Sequence, residues 1–273
     1  MGSASDNLAK RLDETPAPRN DGPAANVQPM DRIWASIRKH KLRRYIADLD
    51  THGLTVIPPE EAAPDGFIER LRAATIRFIE ARDGRPPNFE TGETHKNQIL
   101  GDYHYMLLHD RAFQEMVCQP VALTLLDYLL GESSVIHAMS ALCKGPHEDA
   151  IARGGPLVLP LHSDNQLLPG PFQAFAEFAN LTWTLSEYSL EDGALAYVPG
   201  SHKLCRHPMP GEGMAQAVPV VAPAGSLICW HGNTWHGAFQ RKKPGIRLSI
   251  GASIRGRTSG RAILPRRCHA GNP

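Results

Sequence analysis

The chain has 273 residues, and its 29 Lys and Arg residues nearly balance its 28 Asp and Glu residues, giving a net charge of +1. This balance argues against nucleic acid or an anionic membrane as a partner and favours a small-molecule substrate. Gly and Pro number 24 and 23, and hydrophobic residues make up 42% of the chain. Such a composition predicts a globular protein with many turns rather than a helical bundle.

Cysteine usage and the N-terminal sequence predict the compartment. The five cysteines are odd in number and widely spaced, and no CxxC occurs, so we expect no disulfide framework and a reducing environment. The N-terminus lacks the basic and then apolar pattern of a signal peptide. No apolar run approaches the roughly 18 residues that a membrane span needs. The sequence therefore predicts a cytoplasmic protein, and it leaves open whether the protein is a monomer or a homodimer.

Three segments are predicted along the chain. Residues 1–30 are rich in Pro, Ala, Asp and Gly and poor in large apolar residues, which predicts a mobile arm. The alternative is that this arm wraps around the domain or around a partner subunit. Residues 31–255 are predicted to form one catalytic domain, and residues 256–273 a C-terminal tail whose arginines are more typical of a solvated surface than of a phosphate-binding site.

Helical patterns come first within the domain. The predicted elements are a helix from Asp31 to about Leu49, a short strand at 54–57, a helix beginning at Phe67 and ended by Asp83-Gly84, and a helical region from Asp110 to Leu130 that is interrupted at Pro120. Apolar spacing, capping residues and Gly or Pro stops are the signals for these helices.

After Gly131 the sequence pattern changes to short β-rich runs separated by Gly and Pro. The runs are Val135–Cys143, Leu157–Leu161, Asn180–Ser186, Ala194–Val198, Ala217–Val221, Ser226–Trp230 and Ile246–Ile254. This pattern predicts an antiparallel barrel or jelly roll, so the fold class is mainly β with α. We expect the preceding helices to form a layer packed on one sheet.

One group of residues has the side chains of a metal-binding site. His162 and Asp164 are two residues apart at a predicted strand end, so their side chains share a face. A third ligand would come from downstream, where His231 and His236 are both candidates. Two histidines and one carboxylate are the facial triad of non-haem Fe(II) oxygenases, which leaves metal positions open. Arg247, one strand further on, can pair with the carboxylate of a co-substrate.

These residues and their spacing resemble the phytanoyl-CoA dioxygenase family of Fe(II)/2-oxoglutarate oxygenases. The resemblance lies in the H-x-D at 162–164, the Glu191-Asp192-Gly193 turn, the Pro199-Gly200-Ser201-His202 segment, a distal histidine and an arginine eleven residues beyond it. The resemblance runs from about residue 50 to 254. It implies a double-stranded β-helix, which is a cupin-like jelly roll, with Fe(II), 2-oxoglutarate and O2 as cofactor and co-substrates.

The resemblance also implies roles for particular residues. His162, Asp164 and His236 correspond to the iron ligands, and Arg247 to the residue that holds the distal carboxylate of 2-oxoglutarate. Trp183 and Ser140 match positions that touch 2-oxoglutarate in relatives; Ser249 is expected to add a hydroxyl. His231, the rival third ligand, then reads as a structural histidine.

Function follows from the same resemblance. Asp164 stands where halogenases of the family have a small residue, which favours hydroxylation with decarboxylation of 2-oxoglutarate to succinate and CO2. Desaturation, epimerisation or ring formation on the same scaffold stays open, as does a non-catalytic jelly-roll binding protein. The predicted substrate segments, 95–109, 145–160, 165–178 and 206–216, carry few charges, which favours a hydrophobic or amphiphilic small molecule.

Overall fold

The computed structural model describes residues 29–93, 102–146, 157–165 and 168–256. Most of the predicted N-terminal arm and nearly all of the predicted C-terminal tail lie outside these ranges, so both remain predictions. Within the ranges, no helix is both long enough and apolar enough to cross a membrane.

The helices of the described ranges precede most of the strands. They are α1 (Pro29–Lys39), α2 (Arg43–His52), α3 (Pro59–Ala62), α4 (Phe67–Asp83), α5 (Arg111–Val117) and α6 (Pro120–Leu130), with a 3-10 turn at Ser201–Leu204. Helix α4 and the break at Pro120 match the sequence prediction. A single helix from Asp31 to Leu49 was the wrong prediction, because the chain turns at Lys41, where φ is 56°. That turn lets both α1 and α2 bury apolar faces.

The strands within the described ranges form two antiparallel sheets. Their bounds are β1 (Leu54–Ile57), β2 (Asp102–His104), β3 (Ser134–Lys144), β4 (Leu157–His162), β5 (Phe178–Thr184), β6 (Leu195–Tyr197), β7 (Val218–Pro219), β8 (Leu227–His231), β9 (His236–Phe239) and β10 (Arg247–Gly256). The larger sheet has the order β1-β8-β5-β10-β3-β2, and the smaller sheet has the order β4-β9-β6-β7. The sequence pattern did not predict β2, α3 or β9.

The two faces of the larger sheet have different chemistry because successive side chains of a strand alternate in direction. On the outer face, apolar side chains such as Leu181, Leu248 and Ile250 pack in one buried cluster with the helices. This helical layer confirms the predicted packing. The inner face, which we define as the face turned toward the smaller sheet, carries polar side chains such as Thr182 and Ser249. Both of these are buried.

Candidate metal centre

The smaller sheet brings two histidines together at its edge. His162 is the last residue of β4 and His236 the first residue of β9, and the two are cross-strand partners. Asp164 follows two residues after β4. One ligand atom from each of the three residues lies within 4.8 Å of the others. The three residues predicted as ligands therefore form one compact group.

Both imidazole rings are fixed by the backbone. Nδ1 of His162 donates a hydrogen bond of 2.9 Å to the carbonyl oxygen of Pro160, and Nδ1 of His236 donates one of 2.9 Å to that of Thr234. With the proton on Nδ1, Nε2 keeps its lone pair for a metal. Burial, aided by the neighbouring His236, lowers the pKa of His162, which favours the neutral form that metals bind.

Asp164 is held from two directions. Its backbone N–H donates a hydrogen bond of 3.0 Å to the carbonyl oxygen of Gly232 in the turn after β8. Its carboxylate accepts hydrogen bonds from Asn180 and Trp230 on the inner face of the larger sheet. These hydrogen bonds connect the group formed by His162, Asp164 and His236 to the larger sheet.

Arg247 begins β10, and its side chain is buried on the inner face. The guanidinium carbon lies 4.6 Å from the centre of the Tyr188 ring, and Nη1 donates a hydrogen bond to the carbonyl oxygen of Gly193. Nε is buried and has no hydrogen-bond partner in the described part of the chain. A buried cation with an unsatisfied N–H group is suited to receive a carboxylate from outside the protein.

The family comparison agrees with this geometry. The phytanoyl-CoA dioxygenase (PhyH) family model matches residues 49–249, a stretch that includes the three clustered residues and Arg247. The chain belongs to the phytanoyl-CoA dioxygenase family.

Curated relatives match only parts of their own length. Dioxygenase af480 of Aspergillus fumigatus is 33% identical over 130 residues, which cover 46% of this chain and 39% of the relative. The uncharacterized protein Rv1501 of Mycobacterium tuberculosis is 25% identical over 151 residues, which cover 55% of this chain and 54% of the relative. The matches thus span about half or less of these relatives.

Solved structures with the same fold include 2-oxoglutarate enzymes. The epimerase SnoN, in complex with Fe3+, alpha ketoglutarate and nogalamycin RO, has a TM-score of 0.60 at 20% identity, covering 86% of this chain and 93% of that chain. HygX from Streptomyces hygroscopicus, with nickel and 2-oxoglutarate bound, has a TM-score of 0.60 at 18% identity, covering 79% and 87%. These likenesses confirm the predicted jelly roll.

Ser140, the family-based candidate on β3, lies on the inner face. It is the cross-strand partner of Gly251, which in turn pairs with Thr182. Ser140 is half-buried, and no side chain stands at Gly251 beside it. Ser140 therefore lines the space between the sheets, and its contact with 2-oxoglutarate stays a prediction. Ser249 lies on the same face, where its hydroxyl is 2.8 Å from that of Tyr188.

Trp183 does not lie where the family resemblance suggested. Its indole packs on the outer face, where it meets the Phe67 ring at 5.3 Å between centroids and donates a hydrogen bond to the Met116 carbonyl oxygen at 3.2 Å. Since strand side chains alternate, its neighbours Thr182 and Thr184 face inward instead. Trp183 is thus part of the core between the larger sheet and the helices, and its proposed contact with 2-oxoglutarate is not seen in this arrangement.

His231, His137, His104 and His109 are not among the three clustered residues. His231 is on the outer face, with its ring 5.4 Å from that of His202, which agrees with a structural role. His137, His104 and His109 are exposed. His95 lies outside the described residues.

Four residues around the site were not predicted from the sequence. Asn180 and Trp230 contact Asp164, and Tyr188 stacks on Arg247. His207 accepts or donates a hydrogen bond of 2.9 Å with the Ser163 hydroxyl. Asn180 alone carried a usable signal, because it is an amide side chain in a strand that is otherwise largely apolar.

Proposed function

We propose that the chain is a non-haem Fe(II)- and 2-oxoglutarate-dependent dioxygenase that hydroxylates a hydrophobic or amphiphilic small molecule, with release of succinate and CO2. The observation that most directly supports this proposal is that one ligand atom from each of His162, Asp164 and His236 lies within 4.8 Å of the other two. Family membership supports the same activity. The proposed catalytic unit is the single domain of residues 31–255.

The donor set fits iron. Two neutral imidazole nitrogens and one carboxylate oxygen suit Fe(II) and leave positions open for co-substrates. The backbone bonds to both Nδ1 atoms, described above, supply the outer contacts that metal-ligating histidines usually make. His162, Asp164 and His236 would thus hold the metal, with Nε2 of each ring available as the ligand atom.

The surroundings of Arg247 fit 2-oxoglutarate. The distal carboxylate of that acid would take the unpaired N–H of Arg247, with the hydroxyl of Ser249 nearby on the same face. The Tyr188 ring covers the guanidinium, so the charge pair would form away from bulk water, where it is stronger. Ser140 remains a proposed further contact.

Iron bound at this site supplies the oxidative chemistry that couples decarboxylation of 2-oxoglutarate to oxidation of a C–H bond. The work of the chain is to orient and to exclude water. Arg247 fixes one end of the co-substrate, the two imidazoles and Asp164 fix the metal, and the apolar outer cluster keeps the larger sheet rigid behind them.

The segments beside the metal group support an apolar substrate. Ser163, between two ligands, bonds to His207, and the ring of His207 lies 4.7 Å from that of Phe172. Phe175 and Met209 on these segments are 57% and 66% exposed. Large exposed apolar side chains that lie near one another are typical of a surface that binds an apolar partner or ligand.

Hydroxylation is one of several outcomes on this fold. The names of two fold relatives, the epimerase SnoN and the carbocyclase SnoK, describe other outcomes. Desaturation, epimerisation and ring formation are therefore the alternative functions, and the intact Asp164 favours hydroxylation over halogenation.

A metabolite screen tests the proposal. The protein is loaded anaerobically with Fe(II) and 2-oxoglutarate, exposed to O2 with each candidate compound, and assayed for compound-dependent succinate. Product mass then separates the outcomes, since hydroxylation adds one oxygen atom, desaturation or ring formation removes two hydrogen atoms, and epimerisation leaves the mass unchanged.

Two controls complete the screen. Asp164→Ala removes the carboxylate ligand and should abolish succinate release; full turnover in this variant contradicts the assignment. The remaining alternative is a non-catalytic jelly-roll binding protein. It would be favoured if anaerobic Fe(II) and 2-oxoglutarate together produced no visible absorption band with the unsubstituted chain.

A further inference from the structure

The two oxygens of the Asp164 carboxylate have different surroundings. Oδ2 accepts a hydrogen bond of 2.6 Å from Nδ2 of Asn180 and one of 3.2 Å from Nε1 of Trp230. Oδ1 instead lies 3.5 Å from Nε2 of His236, the nitrogen left free for a metal. The carboxylate is therefore held with one oxygen saturated by donors and the other turned toward the ligand group.

Both donors stand on rigid structure. Asn180 of β5 and Trp230 of β8 are cross-strand partners on the inner face, and their exposed fractions are 9% and 7%. The Trp230 ring also lies 5.2 Å from the His236 ring. The register of the larger sheet, rather than a loop, thus sets where the two N–H groups meet the carboxylate.

We propose that Asn180 and Trp230 are positioning residues that make Asp164 present only Oδ1 to the metal. This inference rests on the proposed metal site. A carboxylate that is free to rotate can bind a metal with both oxygens, but binding through Oδ2 here would disrupt two hydrogen bonds to an ionised acceptor. Coordination by one oxygen keeps a third position open on an octahedral metal for the co-substrates.

Cobalt(II) binding tests the proposal without turnover. Trp230→Phe keeps an aromatic ring and removes the N–H donor, and Asn180→Leu keeps a similar volume and removes the amide. We expect each variant to bind Co(II) about 10-fold to 100-fold more weakly, the range found when contacts to ligating side chains are lost. The visible spectrum of bound Co(II) should also change, because a released carboxylate alters the coordination number.

Trp183→Phe is the matched control. It removes one indole hydrogen bond on the opposite face of β5, where the acceptor is the Met116 carbonyl oxygen. This variant should bind Co(II) with the affinity and spectrum of the unsubstituted chain, so a general effect of losing an indole N–H is separated from an effect at Asp164.

The outcomes distinguish this proposal from the function on which it rests. If Trp230→Phe binds Co(II) with unchanged affinity and spectrum, the positioning role is overturned and the metal site stands. If the unsubstituted chain binds Co(II) no better than Asp164→Ala does, the proposed function itself fails. Trp230→Phe decides the question alone if Asn180→Leu does not fold.

Discussion

His162 and His236 are cross-strand partners, and each donates its Nδ1 proton to the carbonyl oxygen of the residue two positions before it. The two rings thus obtain the same tautomer from the same local device. The backbone carbonyl that orients each ring belongs to its own short segment, so the pairing of β4 and β9 brings together two imidazoles that are already oriented. Asp164 is the one ligand whose orientation depends on the larger sheet.

Arg247→Lys should weaken 2-oxoglutarate binding. A lysine keeps the charge but cannot offer the planar fork of donors, and losing a hydrogen bond to a charged group costs about 1.5–3 kcal/mol. We expect a rise of roughly 10-fold to 100-fold in the Kd for 2-oxoglutarate, measured anaerobically with Co(II) present, and no change in Co(II) affinity. Arg255→Lys, at the far end of β10, is the control, and an unchanged Kd in Arg247→Lys would contradict the role.

Tyr188 offers a test of the stacked ring. Tyr188→Leu removes the aromatic face beneath the Arg247 guanidinium, whereas Tyr188→Phe removes only the hydroxyl that bonds to Ser249. The ring holds the guanidinium and keeps water from it, and water admitted in the leucine variant would weaken its pairing with the co-substrate carboxylate, so this variant should lose roughly tenfold in 2-oxoglutarate affinity. The phenylalanine variant should lose much less. Equal losses would show that the hydroxyl, not the ring, is what matters.

Trp183→Phe should affect folding and spare co-substrate binding. The buried Met116 carbonyl oxygen loses its indole donor, and an unsatisfied buried group costs about 1–3 kcal/mol. Urea unfolding should show this loss in the free energy of unfolding, while the Kd for 2-oxoglutarate stays unchanged. Arg247→Lys should give the reverse pattern. If Trp183→Phe instead weakened 2-oxoglutarate binding and left the free energy of unfolding unchanged, Trp183 would contact the co-substrate, as the family resemblance implies.

Gly53 and Gly84 form a matched pair of helix ends. Both have a left-handed φ, 80° and 76°, but a Cβ at Gly53 would lie 2.5 Å from Nδ1 of His202 and from Oγ1 of Thr234, whereas one at Gly84 meets nothing within 4 Å. Gly84→Ala should cost about 1–2 kcal/mol of backbone strain alone. Gly53→Ala should cost several kcal/mol more by steric overlap, visible as a much lower Tm. Equal shifts in Tm would contradict the packing described around Gly53.

We expect the free energy of unfolding to decrease in acid because His202 and His231 are buried. Burial lowers the pKa of each to about 4, against roughly 6.5 in an unfolded chain. As pH falls from about 6.5 toward 4, the unfolded chain takes up protons that the folded chain does not. The free energy of unfolding should therefore fall in that window by a few kcal/mol, and these groups contribute no slope above pH 7.

Denaturant unfolding from about pH 7.5 to about pH 5, which covers the upper part of this window, measures the slope of the free energy of unfolding against pH. His231→Asn keeps an acceptor for the Asn233 N–H and removes the titrating ring, so its slope should be shallower. The exposed His104→Asn should keep the full slope. A His231→Asn slope as steep as that of the unsubstituted chain would rule out this source.

Much of the fold was readable from the sequence because the signals were local. Helix α4 has an apolar face and a glycine stop, and the long strands β3 and β10 have clear β-rich runs. Strand β9 was not predicted because it has only four residues, one of them Gly237, and owes its extended form to pairing with β4 and β6. The break at Lys41 also reflects tertiary packing, since it allows α1 and α2 to bury separate faces.

The site was predictable to the extent that chain spacing carries it. His162 and Asp164 share a face by strand geometry, and the family pattern selected His236. Contacts that depend on the register between strands were not predictable, and Asn180 with Trp230 is the example, because cross-strand pairing alone brings them together. Trp183 shows the converse: it lies in the strand that the pattern predicts, but on the face opposite to that of its neighbours Thr182 and Thr184.

The residues proposed to hold the metal and 2-oxoglutarate are divided between the two sheets. Both metal-binding histidines are on the smaller sheet, and Arg247 is on the larger one. A chain in which the sheets have not yet docked would therefore have no complete site for metal and 2-oxoglutarate together. Ligands that bind only the docked state stabilise it by mass action, by about 2.7 kcal/mol at 100 times the dissociation constant. Binding of iron and 2-oxoglutarate at the proposed site would then raise the population of the docked state of the jelly roll.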